Sequence, residues 1–239
     1  MIKPIETVYK GYRFRSRLEA RWAVFFDAAK IKYQYEPQGF EAEDGTRYLP
    51  DFYLPDFDVY AEVKPTYEKL MEESDKLGKI ISDYDSPIGA LGLLILGQIP
   101  EQYTNFNGDE KFYNNPMFLY YWSFPYHKGK VCVDFRSFVR YKGETILMDS
   151  GFMQHESDTH IFPNIREESI CYLGKPNNIQ EQLDKCLSLS GYRISCESGY
   201  DGIKFHLPTI IAKESYDYFT PCFNRAKQAR FEHGERPEV

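Results

Sequence analysis

Residues 48 to 65 constrain the fold of this chain more than any other stretch. They read Tyr-Leu-Pro-Asp-Phe-Tyr-Leu-Pro-Asp-Phe-Asp-Val-Tyr-Ala-Glu-Val-Lys-Pro, so that a Leu-Pro-Asp-Phe unit occurs twice in close succession. Apolar and polar side chains alternate on both sides of Pro55-Asp56, which is typical of strands. Proline followed by aspartate favours a turn. The pattern therefore predicts two strands joined through Pro55-Asp56.

The register of this hairpin decides which Pro-Asp copy can carry chemistry. For a turn at residues 55–57, opposed residues have numbers that sum to about 113, so Asp51 faces Glu62 and both side chains leave the same face. Asp56 sits at the turn, six residues from Glu62, or roughly 20 Å along a strand. A shared metal ion therefore selects Asp51 over Asp56.

Asp51, Glu62 and Lys64 together suit the hydrolysis of a phosphodiester. Two converging carboxylates provide the hard oxygen ligands that Mg²⁺ prefers. A lysine two residues along the same strand face stabilises negative charge on a phosphate or orients an attacking water. The competing interpretation is an exposed ion pair on a sheet face, because a short motif of this kind also arises by chance.

A helix is predicted to begin at Ser16 and to continue through Ala29. Its apolar positions recur every three or four residues, at Leu18, Trp22, Phe25, Phe26 and Ala29. Glu19 has two interpretations. It completes a capping box with Ser16, or it joins the acidic cluster of the hairpin as a further metal ligand. The sequence leaves both open.

The net charge of −7 is unevenly distributed. Residues 1–32 carry eight bases and three acids, whereas residues 33–86 carry five bases and fourteen acids. The basic segment includes candidate phosphate contacts, with a solvated basic face as the alternative: Arg13, Arg15, Arg17 and Arg21. Aromatic residues make up 17% of the chain, and they suit either a core or a base-stacking surface.

The remaining pattern completes an α/β order of helix, three strands, helix and strand. Residues 31–42 read as a bent strand, 67–84 as a helix and 90–96 as a buried strand. Residues 131–148 alternate like strands, 149–180 are rich in loop formers, 202–212 suggest another strand and 221–231 a short basic helix. His155 and His160 read as parts of a polar loop, because no second ligand pair at zinc spacing accompanies them.

Three motifs resemble the PD-(D/E)xK nuclease superfamily, in particular its phage-type members and the catalytic domain of transposon-end endonucleases. They are Arg15-Ser-Arg-Leu-Glu-Ala-Arg-Trp22, Tyr48-Leu-Pro-Asp-Phe52 and Tyr60-Ala-Glu-Val-Lys-Pro65. The resemblance covers roughly residues 11–97 and implies a restriction-endonuclease-like core. It further implies a Mg²⁺-dependent DNA endonuclease, with Mn²⁺ as a substitute metal. Asp51, Glu62, Glu19 and the Val63 carbonyl would bind the metal, and Lys64 would assist the attacking water.

These expectations divide the chain into a nuclease core at residues 1–97 and an aromatic-rich α+β region at 98–239 that ends in a basic helix. The alternatives are a catalytically silent DNA- or protein-binding module, or a nuclease for RNA or branched DNA. Cleavage of both strands of a duplex favours a homodimer. Five cysteines without a C-x-x-C pair favour reduced thiols in a cytoplasm, and no membrane contact is expected.

Overall fold

The computed structural model describes most of the first hundred residues and selected parts of the rest. The described ranges are 5–82, 85–102, 104–107, 110–113, 116, 118–123, 131–141, 143–149, 195–199, 202–206 and 209–231. The predicted loop that contains His155 and His160 lies outside them. Within these ranges no helix has both the length and the apolar character that a membrane span requires.

Five helices and fifteen strands occur in the described ranges, and the class is mixed α/β. The helices are α1 Arg17–Ala28, α2 Tyr67–Glu72, α3 Ser74–Ser82, α4 Pro87–Leu91 and α5 Thr209–Gln228. The strands are β1 Thr7–Tyr9, β2 Tyr12–Phe14, β3 Gln34–Tyr35, β4 Phe40–Glu41, β5 Arg47–Tyr48, β6 Phe52–Leu54, β7 Val59–Val63, β8 Leu93–Leu96, β9 Thr104–Asn107, β10 Glu110–Tyr113, β11 Phe118–Ser123, β12 Val131–Tyr141, β13 Glu144–Asp149, β14 Ser195–Gly199 and β15 Gly202–His206.

A seven-stranded sheet forms the centre of the described structure, in the order β13-β12-β11-β8-β7-β6-β3. Only the β7–β8 pair is parallel among its six pairings. The helices α2, α3 and α4 lie between these two strands in the chain, as a parallel connection requires. Four further pairs form two-stranded sheets: β1–β2, β4–β5, β9–β10 and β14–β15.

The predicted hairpin is confirmed, including its register. Phe52 lies opposite Ala61, Tyr53 opposite Tyr60 and Leu54 opposite Val59, so each pair sums to 113. The tight turn at residues 55–58 is closed by the Phe57 N–H, which donates to the Leu54 carbonyl at 3.1 Å.

The two faces of β7 belong to two separate cores. Val59, Ala61 and Val63 join a large aromatic core with α1 and α5, whereas Tyr60 joins a second core with α3 and α4. Alternation along a strand produces this division, because successive side chains leave opposite faces.

Helix α1 forms where the sequence predicts it. Ser16 has extended dihedral angles, and its hydroxyl accepts a hydrogen bond from the Glu19 N–H at 3.2 Å, as an N-cap does. The predicted apolar stripe is buried, with Trp22, Phe25 and Phe26 fully enclosed.

Several predicted boundaries were wrong. The bent strand at 31–42 is two strands, β3 and β4, in different sheets, separated after Glu36, whose φ is 46°. The helix at 67–84 divides at Glu73 into α2 and α3. The strand expected at 90–96 begins only at Leu93, because α4 continues to Leu91 and Gly92 reverses the chain at a φ of 88°.

The C-terminal predictions also need correction. The strand expected at 202–212 ends at His206 and its last residues belong to a helix. The basic helix expected at 221–231 is the second half of the 20-residue helix α5, which contains Pro221.

Candidate active site

The hairpin register brings Asp51 and Glu62 together where β6 begins and β7 ends. The Asp51 N–H donates to Glu62 Oε2 at 3.3 Å, and the Val63 N–H donates to Asp51 Oδ2 at 2.7 Å. Both carboxylates are almost fully buried, with 3% and 5% of their residues exposed. Two acidic side chains therefore share a small, poorly solvated space.

The environment of Asp51 opposes its ionisation. Burial raises the pKa of Asp51 well above 3.8, and the negative charges of Glu62 and Glu19 raise it further. The Val63 N–H and the Arg15 guanidinium act in the opposite direction but do not offset these effects. Asp51 is thus a carboxylate that additional positive charge would stabilise.

Arg15 supplies part of that positive charge. Its Nη2 lies 2.8 Å from Asp51 Oδ1, and its Nε lies 2.7 Å from Glu36 Oε1. The guanidinium therefore bridges the buried Asp51 and the less buried Glu36, while 55% of the side chain is exposed.

Lys64 lies on the other side of Glu62. Its ammonium is 2.9 Å from Glu62 Oε1 and 2.8 Å from Glu73 Oε2, with only 9% of the side chain exposed. Burial alone would lower the pKa of Lys64, but the two carboxylates outweigh it and raise that pKa above its ordinary value. The lysine is therefore a charged, buried donor that is held by two acids.

Glu73 is a member of this site that the sequence analysis missed. It follows α2 at the boundary with α3. The sequence does not show which of Glu68, Glu72 and Glu73 contacts Lys64, because that depends on where the helix breaks.

Glu19 caps α1 rather than standing free beside Asp51. Glu19 Oε1 accepts from the Ser16 hydroxyl at 2.7 Å, and Oε2 accepts from the Arg15 N–H at 3.0 Å and from the Tyr35 hydroxyl at 2.7 Å. Glu19 therefore reaches back to the N–H of Arg15, one residue before the cap. The cap by Ser16 is confirmed, but Glu19 accepts from the Arg15 N–H and the Ser16 hydroxyl where the capping box predicts the Ser16 N–H, and its metal-ligand role stays a prediction.

The four arginines predicted to contact nucleic acid have different surroundings. Arg13 is exposed and pairs with Glu6, and Arg15 lies against Asp51 as described above. Arg17 and Arg21 are half-buried on α1. Their contact with nucleic acid stays a prediction.

The main-chain carbonyl of Val63 has a distinctive position in the hairpin. The register that pairs Phe52 with Ala61 places Pro50 opposite Val63. Proline has no N–H, so the β6 ladder offers no donor to this carbonyl. The Val63 N–H is satisfied by the Asp51 side chain instead.

These groups fit a divalent cation in part. No set of three or more His, Cys, Asp and Glu side chains among the described residues is arranged to hold a metal ion. Asp51, Glu62 and the Val63 carbonyl are nevertheless all oxygen ligands, and Mg²⁺ commonly takes one or two carboxylates and keeps several waters. The donor set therefore suits Mg²⁺ or Mn²⁺ through two carboxylates and not through a three-acid cage.

Comparisons with protein-family models, with curated proteins and with solved structures found no match.

Proposed function

We propose that this chain is a divalent-metal-dependent endonuclease that hydrolyses phosphodiester bonds in DNA, on a core like that of the restriction endonucleases. The convergence of Asp51, Glu62 and Lys64 at one end of the β6–β7 hairpin is the observation that carries the proposal. The order of α1, the antiparallel strands β3, β6 and β7, a helical connection and the parallel strand β8 supports the comparison with such a core.

The charge balance of the site supports the same function. Asp51 and Glu62 are held close together in a buried space. Burial first, and then the negative charges of Glu62 and Glu19, raise the pKa of Asp51, so the ionised pair has a deficit of positive charge. A bound divalent cation would remove this deficit, activate a water and stabilise negative charge on the phosphate. Asp51, Glu62 and the Val63 carbonyl would hold it.

Lys64 and Arg15 would provide the positive charge for the substrate. The Lys64 ammonium, released from Glu62 and Glu73, would donate to a phosphate oxygen or to the attacking water. Arg15 is the more exposed of the two, so it would be the one to contact a neighbouring phosphate.

A second candidate is a binding module that has kept a nuclease-like core without activity. The ion pairs of Lys64 with Glu62 and Glu73 favour it, because they hold the lysine away from a substrate. If Lys64 leaves its two acids when substrate binds, the protein cleaves, and if the ion pairs are permanent, it does not. Measuring cleavage therefore decides between the two candidates.

The test is cleavage of a substrate panel by the full chain in Mg²⁺, Mn²⁺ or EDTA. Linear duplex, single strand, four-way junction and RNA are each incubated with the wild type, Lys64→Ala and a matched surface variant, Lys69→Ala. We expect metal-dependent cleavage of DNA that Lys64→Ala abolishes and Lys69→Ala retains. Binding without metal-dependent cleavage would establish the module, and cleavage confined to RNA would overturn the DNA assignment.

A further inference from the structure

Tyr48 places a buried hydroxyl beside the carboxylates of the site. Tyr48 ends β5 and is 3% exposed, with its ring packed in the second core and the Lys76 ammonium 5.4 Å from the ring centroid. None of the described residues makes a hydrogen bond of ordinary length and angle to its hydroxyl. The Tyr48 ring thus packs in an apolar core while its hydroxyl is buried without a hydrogen bond of ordinary geometry to the described residues.

Tyr48 shares the second core with Tyr60, and Tyr60 leaves the same face of β7 as Glu62, so the Tyr48 ring lies on the face from which Glu62 projects. Burial raises the pKa of Tyr48 well above 10.0, the charge of Glu62 and a long contact between its carboxylate and the hydroxyl raise it further, and Asp51 and Glu73 add to the effect. The hydroxyl is therefore protonated at neutral pH and can only act as a donor toward these acids.

Packing does not explain why a tyrosine occupies this position. A phenylalanine would keep the ring in the second core and would avoid the cost of a buried hydroxyl without a partner. A buried group that is left unsatisfied in this way calls for an explanation, and a role in the function of the site is one of the recognised explanations.

Glu62 loses a donor in the proposed reaction. In the described structure Glu62 Oε1 accepts from the Lys64 ammonium at 2.9 Å. When Lys64 turns toward a phosphate, this oxygen needs another donor in a buried setting. The Tyr48 hydroxyl is adjacent, protonated and available for that bond.

We infer that Tyr48 is a positioning residue for Glu62: its hydroxyl donates to the Glu62 carboxylate when the Lys64 ammonium moves to the substrate. The inference rests on the proposed nuclease function and adds to it a role for a residue outside the acidic pair and the lysine. Tyr48 holds the carboxylate in place and does not itself contact the phosphate.

The experiment compares Tyr48→Phe with the wild type and with a matched variant, Tyr9→Phe. Tyr9 is a buried tyrosine of the other core whose hydroxyl lies near Asp27. Each protein is measured for urea unfolding without metal, for Mn²⁺ binding by calorimetry, and for kcat and KM of DNA cleavage at saturating metal.

We expect Tyr48→Phe to be at least as stable as the wild type without metal. We also expect it to bind Mn²⁺ about 10-fold more weakly, as loss of a ligand's hydrogen-bond partner typically does, and to lower kcat while KM stays the same. Tyr9→Phe should match the wild type in Mn²⁺ affinity and kcat.

Two other results would overturn the inference. If Tyr48→Phe has the same Mn²⁺ affinity and kcat as the wild type, Glu62 does not use the hydroxyl. The nuclease function would still stand in that case, because the wild-type protein would then cleave DNA. A clear loss of stability in Tyr48→Phe would show that the hydroxyl has a structural partner. Failure of the wild type to bind Mn²⁺ or to cleave would instead remove the nuclease function and this inference with it.

Discussion

At the scale of single residues, the site is a set of buried acids with too little positive charge. Asp51 is the clearest case, because its pKa is raised while Val63 and Arg15 already donate to it. A group whose pKa is higher in the folded protein than in the unfolded chain costs stability when it ionises. Ionised Asp51 therefore lowers the stability of the folded protein.

The first prediction concerns Asp51→Asn without metal. The asparagine removes the charge but keeps an oxygen that can accept from the Val63 N–H, so we expect the variant to be more stable than the wild type at pH 7. The gain should vanish well below pH 4, where Asp51 is protonated in both states, should grow as pH rises from the unfolded-state pKa to the raised folded-state pKa, and should level off above it. Urea unfolding across pH 3–8 checks this.

A divalent cation should reverse the order of stability. It should stabilise the wild type in proportion to its binding and leave Asp51→Asn unchanged. A variant that is less stable than the wild type at pH 7 without metal would contradict the prediction.

The second prediction separates the two roles of Glu19. Glu19→Ala leaves three donors without their acceptor: the Ser16 hydroxyl, the Tyr35 hydroxyl and the Arg15 N–H. We therefore expect the free energy of unfolding to fall by roughly 2–4 kcal/mol. Glu19→Gln keeps one acceptor oxygen and should cost about 1 kcal/mol. Thermal and urea unfolding measure both.

Cleavage by Glu19→Gln then decides the metal role. Because both Glu19 oxygens already accept hydrogen bonds, we expect the glutamine variant to keep most of its activity. Loss of cleavage in a stable Glu19→Gln protein would place Glu19 among the metal ligands.

Residue-level prediction from the sequence succeeded where geometry is local. The pairing of Asp51 with Glu62 followed from the length of one turn, and the cap at Ser16 followed from a three-residue spacing. Glu73 and Tyr48 could not be found in this way. Glu73 contacts Lys64 only because the helix breaks at residue 73, and Tyr48 lies near Glu62 only because its ring packs in the second core, on the face of β7 from which Glu62 projects.

At the scale of elements, helix α5 is the main addition to the predicted architecture. Its Phe223 ring stacks on Phe25 of α1, with centroids 4.3 Å apart and 12° between the planes. Phe223 is 3% exposed and also contacts Trp22 edge to face. The helix that holds Ser16 and Glu19 at its start is thus covered by the C-terminal helix.

The third prediction tests this packing. Phe223→Ala leaves a cavity beside α1, and we expect it to cost about 3–5 kcal/mol of stability. A double-mutant cycle with Phe25→Ala should give a coupling of roughly 0.5–1.5 kcal/mol. Urea unfolding of the four proteins gives both values.

A small, exposed substitution on the same helix serves as the control. Asn224 is exposed on α5, so Asn224→Ala should change stability by less than about 0.5 kcal/mol. Similar losses in Phe223→Ala and Asn224→Ala would show that the aromatic contact does not secure the helix.

Element boundaries were predicted less well than elements. The 67–84 pattern is helical throughout, and no proline or glycine marks the break at Glu73. Ala90 and Leu91 read as part of an apolar strand, yet they end α4, because a uniform apolar run lacks the periodicity that separates a helix from a strand.

At the scale of the whole molecule, one sheet extends across the boundary that the sequence analysis places at residue 97. Strand β8 pairs with β7 on one side and with β11 on the other. Phe138 from β12 and Phe219 from α5 both contact Phe25 of α1. The N-terminal elements therefore complete their core with residues from the second half of the chain.

The fourth prediction is that residues 1–102 do not fold alone. Truncation removes α5 and strands β11 to β13, which exposes the aromatic face of α1 and one edge of β8. We expect the fragment to lose the near-ultraviolet circular dichroism and the cooperative unfolding of the full chain. A cooperative transition at the stability of the full chain would show that the predicted boundary is a domain boundary.

The aromatic content and the charge are better understood at this scale. Many described aromatic rings, including Trp22, Phe118 and Phe138, pack against one another in the core beside α1, so core formation accounts for a large part of the aromatic excess. The net charge of −7 includes buried acids that a metal ion would partly neutralise.

The central claim is that Asp51 and Glu62 share a divalent cation that drives DNA cleavage. The doubled Leu-Pro-Asp-Phe unit provides a matched pair of variants, Asp51→Asn and Asp56→Asn. Asp56 lies in the exposed turn and pairs with Lys32 at 2.9 Å, remote from Glu62.

The decisive measurement is Mn²⁺ calorimetry together with cleavage of duplex DNA by these two variants and the wild type. We expect Asp51→Asn to lose Mn²⁺ binding and at least about 100-fold in cleavage rate, and Asp56→Asn to retain both. Full Mn²⁺ binding and cleavage by Asp51→Asn, or their loss in Asp56→Asn alone, would contradict the central claim.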